Sequence, residues 1–273
     1  MKRIVMIVLV MCLIMAHIGI TASAEDITQP TTDITQDTLT APKIKERSAS
    51  ETSILIGYEP VSRAQGYEFY MKKYGRWEMT DTFRKSSYNY IGYGGLDSNT
   101  TYSIGIRAYY YSERNEKIIS SMTVCKIRTL RKMALKRMKT KTKVDACQVK
   151  RSGSYFKSYG IDVAKMINRE RAKKGLKPLK WDETLYKCAQ RRCKEISVKY
   201  AHVRPDGSSC GTICEAYHGE NIVAGHNTPI GAHLSWVNSK GHYENVVRPE
   251  FTRVSVAAFK YNGRIYWVTG FGY

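Results

Sequence analysis

Four short runs near the C-terminus decide the fold of this chain. They are YAHVRPDG at 200–207, GENI at 219–222, WVNSKGHYEN at 236–245 and YWVTGFG at 266–272. Two further runs precede them, INRER at 167–171 and LKPLKWD at 176–182. One such run alone is weak evidence, but several linked runs in a set order are far stronger.

The elements around these runs are predicted from periodicity and end signals. We expect a helix from Ile161 to Lys174 that ends at Gly175, and others that begin after the N-caps Asp182 and Thr228. The expected inner residues of the second helix are Leu185, Cys188, Ala189, Cys193 and Ile196. A closing hairpin is predicted around Asn262-Gly263, with strands at 254–261 and 264–270. Helices followed by strands predict an α+β fold.

The runs together resemble the CAP superfamily, also called the SCP-like domain, over residues 156–273. The resemblance implies an α-β-α sandwich with a cleft where two His and two Glu converge. His202, Glu220 and His242 match three of these positions. Ser239 stands where longer family members carry the second Glu, so the resemblance implies a reduced site.

Two kinds of chemistry suit such a cleft. His202 and His242 are predicted to bind a divalent metal such as zinc, and Glu220 is the predicted catalytic base. Ser239 is the remaining predicted member of the cleft. The alternative is that both histidines fix loops by hydrogen bonds and Glu220 caps a turn. The other histidines, His218, His226 and His233, are predicted at the surface, and Arg204 and Asp206 are predicted to hold their turn.

Six cysteines follow residue 24, and we expect them to be disulfide-bonded outside the cell. Cys188 and Cys193 lie about 140° apart around a helix, so they cannot pair with each other. Cys210 and Cys214 are their candidate partners, with a four-cysteine zinc site as the rival interpretation. Cys125 and Cys147 are the remaining candidate pair.

Residues 42–130 carry short β-type runs with Gly and Asn between them, which predicts an all-β sandwich. The predicted strands are 53–58, 66–72, 88–91, 101–111 and 121–129. The segment Leu96 to Tyr102 predicts a tyrosine corner. With Gly66-Tyr67 and Arg107-Ala108-Tyr109, these residues resemble a fibronectin type III domain, except that Tyr58 replaces the usual core Trp. The resemblance implies a spacer or adhesion module.

The first 24 residues have the three parts of a signal peptide. Lys2 and Arg3 precede an apolar run from Ile4 to Ile20, and Ala22 and Ala24 suit a cleavage site. An uncleaved anchor is the alternative. Residues 25–41 are Thr-rich and predicted to be a disordered spacer. We therefore expect a secreted, extracellular protein, with retention at the cell surface as the variant of this location.

Residues 131–155 form a predicted basic linker. Nine Lys or Arg occur between Arg131 and Arg151 against one acid, Asp145, and the chain has a formal charge of +20. A solvated linker is one interpretation and contact with an anionic polymer is the other. Anionic cell-wall polymers or membrane surfaces are the expected partners, with a lipid or glycan ligand and no nucleic acid.

The sequence leaves two functions open. The first is a secreted binding module with a His/Glu cleft for a metal or a small apolar ligand. The second is a metal-assisted or His-based extracellular hydrolase. No Gly-x-Ser-x-Gly or His-Glu-x-x-His motif accompanies the cleft residues, which favours the first function.

Overall fold

The computed structural model describes residues 38–84 and 89–273. The predicted signal peptide and residues 25–37 of the predicted disordered spacer lie outside these residues. The predicted end of the spacer at residue 41 is wrong, because Leu39 is buried in the core of the N-terminal part. Residues 38–273 form one compact unit. No helix in the described ranges is both long and apolar enough to cross a membrane.

The N-terminal part of the described chain is a β sandwich of two antiparallel sheets. Its strands are β1 (Ile44–Ala49), β2 (Ser53–Tyr58), β3 (Gly66–Lys73), β4 (Arg76–Arg84), β5 (Tyr90–Gly94), β6 (Thr101–Tyr111), β7 (Lys117–Ile119) and β8 (Thr123–Arg128). Within the described ranges one sheet has the order β1-β2-β5. The other has the order β4-β3-β6-β7, and β8 also pairs with β6.

The core of the sandwich lies between the two sheets and consists of alternating inward-facing residues. Tyr58 is buried there, with its ring centroid 4.7 Å from that of Tyr67. The tyrosine corner is confirmed, because the Asp97 N–H donates to the Tyr102 hydroxyl over 2.9 Å. The strands β1, β4 and β7 were not predicted. None of the described residues of these three strands is buried, so their apolar pattern is weak.

The C-terminal part combines helices with a mixed sheet. Its strands are β9 (Arg137–Met138), β10 (Ser154–Tyr155), β11 (Lys180–Asp182), β12 (Gly219–Ala224), β13 (Arg253–Tyr261) and β14 (Arg264–Gly272). Its helices are α1 (Lys157–Lys173), α2 (Glu183–Ile196), α3 (Pro229–Val237) and α4 (Lys240–Val246). In the described residues the sheet order is β12-β14-β13-β11-β9, with β10 also paired to β13.

Both faces of this sheet are covered by protein. Every residue from Val254 to Phe259 in β13 is buried. Since successive side chains of a strand point to opposite faces, such a run requires cover on both sides. The closing hairpin is confirmed: Asn262 and Gly263 have φ values of 46° and 75°, as a type I′ turn requires.

Two of the three predicted helix starts are confirmed. Asp182 accepts a hydrogen bond from the Thr184 N–H, and Thr228 accepts one from the Gly231 N–H. The first helix begins at Lys157 rather than Ile161, and its N-cap Phe156 makes no side-chain capping hydrogen bond that would mark the start in the sequence. The α2 residues predicted to face inward are all buried. The helix α4 was not predicted, and it has only seven residues, too few to show a clear period.

The basic segment, residues 131–151, is docked on the C-terminal part of the chain. It supplies β9, which pairs in parallel with β11. Leu135 and Val144 pack against the core below. The interpretation as a solvated linker did not anticipate this docking, although apolar residues such as Leu135 lie among the charges.

The sandwich and the C-terminal part meet at an interdomain junction, formed by the β1–β2 turn (Ser50–Ser53) and residues of α1 and α3. Asp162 on α1 accepts hydrogen bonds from the hydroxyls of Ser50 and Thr52 over 2.5 and 2.6 Å. Glu51 forms an ion pair with Lys165 over 2.6 Å. Both carboxylates are buried, so this contact fixes the turn against α1.

Candidate functional site

The predicted cleft residues come from three separate elements. Glu220 lies in β12, His202 lies in the loop after α2, and His242 lies in α4. The structure brings His202 and Glu220 together, with 3.0 Å between His202 Nδ1 and Glu220 Oε1. His242 is close enough to His202 for the two rings to interact electrostatically.

Hydrogen bonds of two asparagine side chains hold α4 over β12. The Asn221 amide donates to the His242 carbonyl oxygen over 2.9 Å, and the Asn245 amide donates to Asn221 Oδ1 over 2.9 Å. Asn221 is fully buried. The run GENI therefore positions two cleft residues at once, since Glu220 contacts one histidine and Asn221 fixes the backbone of the other.

Both oxygens of the Glu220 carboxylate are occupied by donors. Arg192 donates to Oε2 over 2.8 Å and to Oε1 over 3.1 Å, and the Tyr217 hydroxyl donates to Oε2 over 2.8 Å. Burial by itself raises the pKa of Glu220, but the hydrogen bonds from His202 and Arg192 and the Arg192 charge lower it below its usual range. Glu220 is therefore a fixed carboxylate and a poor proton acceptor.

Arg192 belongs to a larger buried ion-pair chain, which we define as Arg204, Glu195, Arg192 and Glu220. Arg192 also pairs with Glu195 over 2.9 Å, and Glu195 pairs with Arg204 over 2.9 Å. Burial opposes the Arg192 charge, yet its hydrogen bonds to Glu220 raise its pKa above the ordinary value. Arg204 thus does more than hold its turn, because it neutralises a buried glutamate.

Sequence reasoning missed Arg192 and Tyr217. A signal for Arg192 was present, because it follows Leu185 by seven residues and Cys188 by four, which places it on the inner face of α2. A charged residue on an apolar face predicts a buried partner.

His202 and His242 differ in the exposure and hydrogen bonding of their ring nitrogens. His202 is half exposed, and its Nδ1 is used by Glu220. His242 Nδ1 is buried and has no hydrogen-bond partner in the described structure. Burial, followed by the charge of His202, lowers the pKa of His242. His202 therefore keeps only its Nε2 for a further partner, whereas the unpartnered Nδ1 of His242 is enclosed by protein.

These residues do not fit a zinc site. Zinc sites in proteins use three or four protein ligands, but both oxygens of Glu220 already accept hydrogen bonds from Arg192 and its neighbours. Across residues 38–84 and 89–273, no group of three or more His, Cys, Asp or Glu side chains is placed to hold an ion. Ser239 precedes α4 but makes no capping hydrogen bond with its side chain.

The predicted disulfides are not confirmed. All six cysteines in the described ranges are free thiols: Cys125, Cys147, Cys188, Cys193, Cys210 and Cys214. Cys188 Sγ nevertheless lies 2.8 Å from Cys214 Sγ. Cys125 is buried in the sandwich core, whereas the Cys147 thiol donates to the Arg191 carbonyl oxygen beside α2, so the two belong to separate surroundings.

The surface prediction for the remaining histidines is only partly right. His218 is exposed. The prediction is wrong for His233, which is buried on α3 with its Nε2 3.9 Å from Glu170 Oε1. Helical spacing explains this, because His233 lies three residues before the buried Trp236. His226 is half buried, and its Nε2 lies 2.5 Å from Ser235 Oγ.

Comparison with known proteins assigns the C-terminal part to a class. Residues 164–271 match the model of CAP, the Cysteine-rich secretory protein family, and form a CAP domain. The chain is homologous to the uncharacterized protein YkwD of Bacillus subtilis (strain 168), with 35% identity over 111 residues. The match covers 38% of this chain and 43% of YkwD, so the chain spans less than half the length of this curated relative.

Solved structures give weaker similarities. An outer surface protein from Borrelia burgdorferi is 18% identical and covers 44% of this chain and 98% of its own, with a TM-score of 0.38. FN3tt is 16% identical and covers 35% of this chain and 99% of its own, with a TM-score of 0.28. Similarities with TM-scores this low do not establish a shared fold.

Proposed function

We propose that this protein is exported and acts as a binding protein at an anionic surface, with the basic segment as its contact. The matched family is described as secretory, and the N-terminal sequence has the features of an export signal. The β sandwich, which we interpret as fibronectin type III-like, serves as a docked spacer in this proposal.

The observation that carries the proposal is the exposure pattern of the basic segment. All of its lysines and arginines except Arg151 are exposed, while Leu135 and Val144 between them pack against the core of the CAP domain. Lys139, Lys141 and Lys143 alternate with the half-buried Thr140 and Thr142. The lysine stems therefore project from an extended backbone that is already fixed, which suits a linear polyanion and reduces the entropy lost on binding.

Fixed contacts maintain this display. The Thr140 N–H and hydroxyl both donate to Asp182, the buried N-cap of α2. Further along, the Asp145 N–H donates to the Ile213 carbonyl oxygen over 2.8 Å. These contacts anchor the segment on both sides of Lys141 and Lys143, so the positive charges keep a set spacing.

The cleft contributes a second binding surface in this proposal. Its two imidazoles can accept or donate hydrogen bonds to a small ligand, while Glu220 is held away from reaction by Arg192. A hydrolase that uses Glu220 as its base is not favoured, because that carboxylate has a lowered pKa and no free oxygen.

The test compares two variants with equal net charge. One replaces Lys136, Lys139, Lys141 and Lys143 by Gln, and the control replaces the exposed Lys43, Lys126, Lys174 and Lys177 by Gln. Binding to fluorescein-labelled polyphosphate is measured by fluorescence polarisation at low salt. At about 1 kcal/mol for each Lys near an anionic surface, we expect the first variant to bind more than about 100-fold more weakly.

The control should weaken binding far less, through net charge alone. Vesicles that contain phosphatidylglycerol, used in a parallel sedimentation assay, distinguish a membrane surface from a linear polymer. Equal losses in the two variants would show that the basic segment is not the contact, and no binding by the unmodified protein would exclude the proposal.

A further inference from the structure

A cavity of about 620 Å³ lies between the β sandwich and the CAP domain. One wall comes from the sandwich, through Leu55, Ile91 and Gly92. The other comes from the loop after β12 and from α3. The volume is in the range of small-molecule sites, which are frequently found between domains. This interdomain cavity contains neither His202 nor His242.

The walls of the interdomain cavity are held in place. Ser53 Oγ accepts a hydrogen bond from the Ile230 N–H across the two domains over 3.2 Å. A Cβ at Gly92 would lie 3.0 Å from the Thr228 side chain, and one at Gly94 would lie 2.7 Å from the Tyr159 hydroxyl. Glycine at these positions lets the sandwich approach the CAP domain closely, so the cavity is formed before any ligand binds.

The charges that line the interdomain cavity oppose those of the whole chain. Glu46 and Asp81 contribute two carboxylates, and Arg264 contributes one guanidinium. The chain as a whole carries +20. The two carboxylates disfavour an anionic ligand, while Arg264 disfavours a cationic one. A neutral, polar ligand meets no charge repulsion from this lining.

The remaining polar groups both donate and accept hydrogen bonds. Asn227 and Asn238 each present an amide, which has two N–H donors and a carbonyl acceptor. The Ser235 hydroxyl is fixed by His226 at 2.5 Å. Burial lowers the pKa of His226, which keeps the ring neutral near pH 7 and able to accept the Ser235 proton. A ligand that matches this lining carries several hydroxyl groups, because each hydroxyl also both donates and accepts.

Two exposed aromatic rings lie at the same cavity. Phe83 and Tyr90 are 40% and 41% exposed, although both are large and apolar. The Tyr90 ring is held against Gly57, where a Cβ would lie 2.8 Å from it. The C–H faces of sugar rings stack on such aromatic rings, whereas a small polyol without a ring has no such face.

We infer that the interdomain cavity binds a neutral oligosaccharide, with Tyr90 and Phe83 stacking on sugar rings and Asn238, Asp81 and Ser235 bonding their hydroxyls. This goes beyond the proposed contact of the basic segment with polyanions, because it concerns another surface and an uncharged ligand. Failure of one leaves the other standing.

The test is calorimetric titration of cellotriose and of tri-N-acetylchitotriose into the purified full-length protein. We expect at least one to bind, and the binding to weaken at least tenfold in Tyr90→Ala. The control is Tyr111→Ala, which removes a tyrosine of matched exposure (44%) outside the cavity and should leave the affinity unchanged. Asn238→Ala, at an exposed position on the opposite wall, should also weaken binding.

Near-UV circular dichroism shows whether each variant keeps its fold. Trilysine serves as a cationic competitor in the same assay. The inference is overturned if neither trisaccharide binds, if Tyr90→Ala and Asn238→Ala bind as well as the unmodified protein, or if trilysine displaces the sugar at equal concentration.

Discussion

The buried ion-pair chain and the interdomain junction both bury carboxylates, but they compensate them differently. In the chain, Glu220 and Glu195 face Arg192 from both sides, and all three side chains are fully buried. At the junction, Asp162 accepts from hydroxyls and backbone N–H groups of the turn, and Glu51 pairs with the partly exposed Lys165 and Arg169. If the two domains separate, the polar groups at the junction become hydrated. The residues of the buried ion-pair chain cannot become hydrated unless the CAP domain itself unfolds. The ion-pair chain is therefore part of the interior of one domain, and the junction is a contact that can open.

Removing Arg192 should have the largest effect on stability. Arg192→Met leaves Glu220 and Glu195 buried without their shared partner, which costs about 3 to 5 kcal/mol. Urea unfolding measures this loss. Lys187→Met, at an exposed position on the same helix, should stay within about 0.5 kcal/mol of the unmodified protein. A similar loss in both variants would contradict a special role for the buried charge.

Oxidation of two cysteines should increase the stability of the CAP domain and leave that of the β sandwich unchanged. The hydrogen bond from Cys188 lowers the pKa of Cys214, which favours its thiolate as the nucleophile. With oxidised glutathione as the electron acceptor, we expect a Cys188–Cys214 disulfide. These cysteines are 26 residues apart, so the cross-link should add about 3.5 kcal/mol.

Peptide mapping without reductant identifies the bridge. Cys193→Ala should still form it, since the Cys193 thiol donates instead to backbone carbonyls of Ala257 and Tyr266. Cys214→Ser should not. A bridge through Cys210 in the unmodified protein would contradict the pairing.

Removing the Asp162 contacts at the junction should lower the free energy of unfolding by less than removing Arg192 does. It should also change the number of thermal unfolding transitions. Asp162→Ala removes the acceptor shared by Ser50 and Thr52, with an expected loss of about 2 kcal/mol, in the range for hydrogen bonds to a charged group. Calorimetry should then resolve separate transitions for the sandwich and the CAP domain. Asp162→Asn keeps one acceptor and should preserve a single transition. A single transition in both variants would show that the Glu51 ion pairs and the Ser53–Ile230 hydrogen bond are sufficient to couple the domains.

The smallest expected effect is the titration of His242. Burial and the neighbouring His202 lower its pKa below the ordinary 6.5, so the folded state binds fewer protons than the unfolded state. Its contribution to stability is therefore fully present above pH 6.5 and is lost progressively as the pH falls from 6.5 through the lower pKa of the folded state. His242→Gln should reduce the difference in urea midpoint across this pH. An unchanged difference in His242→Gln would contradict this assignment.

Much of the fold follows from local sequence signals. The N-caps Asp182 and Thr228, the Asn262-Gly263 turn and the tyrosine corner at Tyr102 each depend on a few neighbouring residues, so they are readable from the chain. The weakly patterned strands β1, β4 and β7 were missed, because pairing with neighbouring strands stabilises them more than their own apolar pattern does.

The candidate site was only partly readable. The runs around His202, Glu220 and His242 indicated a cleft, and the structure brings His202 and Glu220 into contact. Sequence could not show that Arg192 already occupies the Glu220 carboxylate, because the two residues are 28 positions apart and meet only when α2 packs on the sheet. Because of that contact, Glu220 is a fixed counter-ion of Arg192 rather than the predicted catalytic base.

The sequence by itself determined the β-rich character of the N-terminal part, the CAP domain and the N-caps of α2 and α3, since these depend on periodicity and on short-range hydrogen bonds. Only the tertiary structure decided which polar groups remain available. In the folded protein, Glu220 is bound by Arg192 in the interior, and the basic segment is docked with its lysines exposed. The interdomain cavity lies between the sandwich and α3. The physical reason is that the cost of burying a charge or a hydrogen-bonding group depends on its partners, and those partners come from distant parts of the chain.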